Sequence, residues 1–171
     1  MSHVYLVGFM GSGKSTVGRI LSEKLAVPLV DLDARIEDEA GRCVSEIFAE
    51  EGEPVFRSRE HDALLKMEGE ESSVVACGGG VILSDENRAF LKRTGVVIYL
   101  GITAAEALAR VGGAETRPLL AGDSGAMAAT LLQARETLYR AVADVSIDTV
   151  GKTPDQVANE ALAFIEDRWD G

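Results

Sequence analysis

The segment Gly8-Phe9-Met10-Gly11-Ser12-Gly13-Lys14-Ser15 constrains this chain more than any other stretch. It has the form glycine, four residues, Gly-Lys-Ser. It follows an apolar run at Val4–Val7 and precedes a stretch in which Val17, Ile20, Leu21 and Leu25 recur at helical spacing. Glycines at these points let the backbone wrap so that successive N–H groups converge on a phosphate, and the positive end of the following helix adds to the attraction. Lys14 is placed to bridge β- and γ-phosphates, and the Ser15 hydroxyl to ligate Mg²⁺. Gly11, Ser12, Gly13, Lys14, Ser15 and Thr16 are therefore the expected nucleotide-binding element, and the implied ligand is a nucleoside triphosphate.

The rest of the chain has the rhythm that such a loop requires. Short apolar, β-branched runs recur at Val4–Val7, Pro28–Leu32, Ser73–Ala76, Val96–Leu100 and Val145–Ile147, with amphipathic stretches between them. Strands alternating with helices need right-handed crossovers and bury a parallel sheet, so the expected class is α/β, in one domain over 1–171. Expected helices run Ser12–Leu25, Ala34–Glu39, Ser45–Glu50, Pro54–Met67, Ser84–Arg93, Thr103–Val111 and Thr153–Arg168. Ser84 and Thr153 read as N-caps, and Thr103-Ala104-Ala105-Glu106 as a capping box. Gly112–Gly125 breaks the rhythm: four glycines and Pro118 make it too long for an ordinary connection. It reads either as a mobile lid over about 112–124 or as a surface loop without a role.

Acids outnumber Lys and Arg by 28 to 17, a net charge of −11. That balance repels polyanions at long range, which excludes nucleic acid and anionic membranes as broad partners. A small anion must then be held by local cations and backbone N–H groups. No apolar run approaches the ~18 residues of a membrane span. Cys43 and Cys77 have neither framework nor metal spacing, which suits a reducing compartment. With no basic leader ahead of the first apolar run, the expected location is the cytoplasm.

Further residues narrow the reaction. The third apolar run ends in Cys77-Gly78-Gly79-Gly80 without the usual Walker B Asp, and no Asn-Lys-x-Asp segment is present to read guanine. Carboxylates stand instead at Asp31-Leu32-Asp33. Alternation along a strand would turn both onto one face at the carboxyl edge, where ligands of open α/β sheets bind. Asp31 is then placed to hold a water of the Mg²⁺ shell, and Asp33 to accept a proton from an alcohol attacking the γ-phosphate. The same pair would also serve as a helix N-cap cluster. In Phe56-Arg57-Ser58-Arg59-Glu60, Arg57 and Glu60 share a helix face. They read as a guanidinium held by Glu60 to take a carboxylate bidentately, or as a solvated ion pair. Gly78–Gly80 brings bare backbone against a ligand or another segment, and Arg135 adds a cation on the helix after the glycine-rich segment.

Taken in order, GFMGSGKS, DLD at Asp31–Asp33, FRSRE at Phe56–Glu60, CGGGV at Cys77–Val81, RPLL at Arg117–Leu120 and RETLY at Arg135–Tyr139 resemble the shikimate kinase family. Gly41–Phe48 also resembles the family stretch that leads into its substrate helices. The resemblance implies a three-layer αβα P-loop kinase with a five-stranded parallel sheet in the order 2-3-1-4-5. It further implies transfer of the ATP γ-phosphate to the 3-hydroxyl of shikimate, in aromatic amino-acid biosynthesis, by a monomer with Mg²⁺. By motif match, Asp33 would meet that hydroxyl, and Arg57 and Arg135 would clamp the carboxylate. Gly78, Gly79 and Gly80 would offer backbone N–H groups, and Phe48 and Phe56 would wall a substrate region over about 33–61. Lys14 and Arg117 would act on the transferring phosphoryl group, while Arg110 and the loop from Thr149 to Pro154, including Lys152, fall where adenine is held.

Two rivals are a kinase for another small hydroxylated acid, such as gluconate, and a catalytically silent binding module. The paired arginines and triple glycine disfavour the first; Lys14, Asp33 and Arg117 together oppose the second. Cys77 reads as a small buried hydrophobe and His3 and His61 as surface residues. The cavity itself is expected to be locally positive despite the acidic chain.

Overall fold

In a computed structural model, which describes residues 3–111 and 124–169, all five apolar runs become strands. They are β1 (His3–Val7), β2 (Leu29–Asp31), β3 (Val74–Ala76), β4 (Gly95–Gly101) and β5 (Val145–Asp148). All pairs are parallel and the spatial order is β2-β3-β1-β4-β5, as the family resemblance implies. The helices are α1 (Lys14–Leu25), α2 (Leu32–Ala40), α3 (Val44–Glu51), α4 (Glu53–Leu65), α5 (Asp85–Thr94), α6 (Ala104–Val111), α7 (Ser124–Val142) and α8 (Pro154–Trp169).

Strand alternation divides the apolar residues between two layers. Val4 and Leu6 of β1 pack with Val17 and Leu21 of α1 and with Val157, Ala161 and Ile165 of α8. Their neighbours Tyr5 and Val7 face the opposite side, against Ile36, Ile47, Phe56, Leu64, Phe90 and Tyr139 from α2 to α7. Central strands covered on both faces need a continuous apolar run, and β1 is buried along its whole length. Crossovers bring the phosphate loop, the end of β2 and the glycines after β3 to one carboxyl edge. Among the described residues no helix is long and apolar enough to cross a membrane.

Local differences from the expected elements have definite causes. Helix α1 starts at Lys14 rather than Ser12 because Gly13 sits at φ 92°, in the left-handed region. β2 stops at Asp31, so strand alternation does not bring Asp31 and Asp33 together. Asp31 is instead the N-cap of α2, its Oδ1 accepting from the N–H groups of Asp33 and Ala34, and Asp33 lies in the first helical turn. Of the two readings of the pair, the structure shows the N-cap, at Asp31. A reciprocal capping box forms at Thr153 and Gln156, which exchange both bonds, and another at Cys43 and Glu46, whereas at Thr103 only the Glu106 N–H is bound.

His3 is not a surface residue: it is buried, with Nδ1 2.9 Å from Ser73 Oγ and Nε2 donating to the Met67 carbonyl oxygen at 2.8 Å. Both partners are more than sixty residues away in sequence, so no local pattern marks the site. His61 is half-buried against Asn87. The expected lid over 112–124 falls, up to residue 123, outside the described residues, and Arg117 with it.

Candidate active site

The phosphate loop opens at the end of β1 and closes where α1 begins. Gly13, the α1 N-cap, has no side chain to bond the first-turn N–H groups, and no acidic residue stands in that turn. The positive end of the helix is thus left for an external anion. Lys14 Nζ lies over the loop and donates to the carbonyl oxygens of Gly8 at 2.7 Å and Phe9 at 3.0 Å. Ser12 is buried inside the loop, its Oγ without a partner among the described residues.

Beside the loop, Ser15 Oγ donates to Asp31 Oδ2 at 2.8 Å. A hydroxyl and a carboxylate side by side are hard oxygen donors of the type Mg²⁺ prefers. Among the described residues no group of three or more His, Cys, Asp or Glu side chains is placed to hold a metal ion. An ion at this point would therefore rely on Ser15, Asp31 and the phosphates together, which is the usual economy of protein ligands for Mg²⁺.

The opposite end of the same cavity is built on α4 and on the glycines after β3. Arg57 Nη1 donates to Glu60 Oε2 at 2.9 Å, while its Nε and Nη2 reach Glu53 at 3.3 and 3.2 Å. Its guanidinium also lies 5.3 Å from the centre of the Phe56 ring, which packs on Phe48 at 4.8 Å. Glu60 is 1% exposed, and its Oε1 has no partner among the described residues. Burial pushes its carboxyl above the ordinary range, against the opposing pull of Arg57. The triple glycine makes this packing possible. A Cβ on Gly78 would fall 2.7 Å from Glu60 Oε1 and 2.8 Å from Asp33 Oδ1, and one on Gly80 would overlap the Arg57 guanidinium. Arg135 of α7 is buried and joins the same wall.

One cavity of about 690 Å³ collects these groups. Gly11, Gly13, Lys14, Ser15, Thr16, Asp31, Asp33, Phe48, Phe56, Arg57, Glu60, Gly78, Gly79, Gly80 and Arg135 all line it. Arg110 and Lys152 do not. Arg110 instead ties the loop to the segment after β5, donating to the Gly11 carbonyl at 3.3 Å and to Thr149 Oγ1 at 3.2 Å. Lys152 is turned to Glu160 of α8 at 2.9 Å. Sequence reasoning missed Glu37, Val44 and Ser45, which also line the cavity. Glu37 Oε1 accepts from the Val44 N–H at 2.8 Å and so fastens α3 to α2. The helical spacing of Glu37 from Asp33 was the available signal.

The expectation of a locally positive cavity counts Arg117, which lies outside the described residues, so the described lining gives only part of that sum. The described lining holds Lys14, Arg57 and Arg135 against Asp31, Asp33, Glu37 and Glu60, three cations to four carboxylates. The charges are segregated rather than summed: ammonium over the phosphate loop, Asp31 and Asp33 in the middle, guanidinium groups at the far end.

Known proteins share this architecture. A family model for shikimate kinase matches residues 10–166. The shikimate kinase of Rhodococcus jostii (strain RHA1) is 45% identical over 159 residues, spanning 92% of this chain and 94% of its own. That of Geobacter metallireducens is 43% identical over 167 residues, spanning 97% and 93%. The structure of shikimate kinase from Acinetobacter baumannii in complex with shikimate superposes with a TM-score of 0.94 at 38% identity, covering 98% of this chain and 94% of that one. With the strand order, the phosphate loop and the arginine-lined end already in place, agreement over nearly the whole length leaves one conclusion: the chain belongs to the shikimate kinase family.

Proposed function

We propose that this chain transfers the γ-phosphate of ATP to the 3-hydroxyl of shikimate, giving shikimate 3-phosphate for aromatic amino-acid biosynthesis. The observation that carries the reading is the continuity of the cavity: a phosphate loop at one end, two arginines at the other and Asp33 between them. The solved relative from Acinetobacter baumannii holds shikimate.

Phosphoryl transfer asks little covalent chemistry of a protein; it needs alignment and charge neutralisation. Lys14, already over the loop, turns from the Gly8 and Phe9 carbonyls to the β- and γ-phosphates. Arg57 and Arg135 take the acceptor carboxylate, with Glu60 and Glu53 fixing the Arg57 fork. Phe48 and Phe56 wall the ring, and the acceptor hydroxyl passes its proton to Asp33. Ser15 and Asp31 would hold Mg²⁺, which when bound neutralises charge on the phosphates. Arg117 of the segment 112–124 is assigned to the transferring phosphoryl group, and Arg110 with Lys152 to the adenine end, on the family resemblance. Lys152 must leave Glu160 to reach a nucleotide. We assign a monomeric state and a cytoplasmic location on the same ground.

A coupled ADP-release assay with shikimate, gluconate or no acceptor tests the reading. Turnover is expected with shikimate alone, with kcat falling about 10²- to 10⁴-fold in Asp33→Ala. Turnover on gluconate but not on shikimate would overturn the acceptor. ATP binding without stimulation by any acceptor would leave a binding module.

A further inference from the structure

Tyr139 is not part of the cavity lining, yet its hydroxyl meets two groups that are. Its ring is fully buried and stacks on Tyr99 of β4, with centroids 5.1 Å apart and planes 13° apart. The hydroxyl donates to the Gly79 carbonyl oxygen, and the Arg135 guanidinium, one turn earlier on α7, stands close enough for its charge to act on the phenol. A guanidinium only donates. With its proton given to Gly79, the phenol oxygen keeps lone pairs as the acceptor it can offer that guanidinium. A Cβ on Gly79 would stand 3.6 Å from both Arg135 Nη1 and the Tyr139 hydroxyl, so both groups lie against the same glycine. Burial raises the phenol above its ordinary pKa and keeps it a donor.

Two consequences follow from elementary geometry. Arg135 is 4% exposed, and a buried guanidinium needs acceptors to fix its fork. The Gly79 C=O and the Gly80 N–H share a planar trans peptide and point in opposite directions. Drawing the carbonyl toward Tyr139 therefore turns the Gly80 N–H away from α7.

We propose that Tyr139 is a positioning residue for the acceptor end, aligning both the Arg135 fork and the Gly79–Gly80 peptide, so that preference for a carboxylated acceptor depends on a phenol outside the cavity wall. The inference rests on the acceptor assigned above. Tyr139→Phe keeps the ring and its stack and removes only the hydroxyl. Kinetics are compared on shikimate and on the analogue whose carboxylate is reduced to a primary alcohol. The expected result is a rise of about tenfold in KM for shikimate, an unchanged KM for ATP, and little difference between wild type and variant on the alcohol. An equal change on both acceptors, or none on either, would overturn the role of Tyr139. Wild type that does not phosphorylate shikimate would overturn the acceptor and this role together. A measurement on wild type removes dependence on the variant's folding: the Tyr139 hydroxyl proton should give a slowly exchanging NMR resonance that shikimate shifts and ATP alone does not. A rapidly exchanging proton, or one that ATP moves as far, contradicts the proposal.

Discussion

The phosphate loop and the Gly78–Gly80 run line one cavity, but glycine is required in them for different reasons. Gly13 adopts φ 92° and has open space around the position of a Cβ, the nearest atom being Val17 Cγ2 at 3.9 Å. There the backbone conformation excludes side chains. Gly80 has an ordinary φ of −97°, yet a Cβ would overlap the Arg57 guanidinium. There the crowding of a functional side chain excludes them. Glycine in the first cluster shapes a loop for an anion; in the second it makes room for the groups proposed to hold the other substrate.

The contrast breaks most sharply at Gly80. Gly80→Ala is expected to displace Arg57 and lower kcat/KM for shikimate by ten- to a hundredfold, the value of a lost charged hydrogen bond, with ATP affinity unchanged. In an Arg57→Ala background the same substitution should add almost nothing. Additive losses would show that the glycine serves the backbone after all. Gly13→Ala is next, costing about 1–2 kcal/mol for the left-handed conformation. Titration calorimetry should show roughly tenfold weaker ATP binding and an unchanged shikimate Kd. Weakened binding of both would erase the distinction between the clusters.

The smallest expected effect is a slope. Glu60 is the buried carboxylate beneath the triple glycine, and burial raises its pKa in the folded state. The native protein then binds more protons than the unfolded chain, so stability falls as pH rises from the ordinary Glu value through the raised one. Unfolding free energies measured over that range should decline with pH more steeply in wild type than in Glu60→Gln. Parallel curves would contradict the direction of the shift.

These differences also explain which features the sequence alone makes legible. The five β-branched runs announced the strands, and the spacing of Val17, Leu21 and Leu25 announced α1, because both patterns are local. The strand order came from family resemblance, since crossover topology leaves no local mark. Asp31 and Asp33 were found on a mistaken premise: three residues of β2 are too few for alternation to act, and the N-cap brings the pair together instead. His3 was misread because its partners, Ser73 and Met67, come from a distant part of the chain. Tyr139 went unused although it stands four residues after Arg135, the spacing that places two side chains on one helix face.

Equilibrium binding to Arg57→Ala tests most directly whether one cavity is divided into a nucleotide end and an acceptor end. Calorimetric titrations with ATP and with shikimate should give an ATP Kd within about twofold of wild type and shikimate binding weakened by at least about tenfold. Equal loss of both ligands would show that Arg57 supports the fold rather than the acceptor, and would contradict the division.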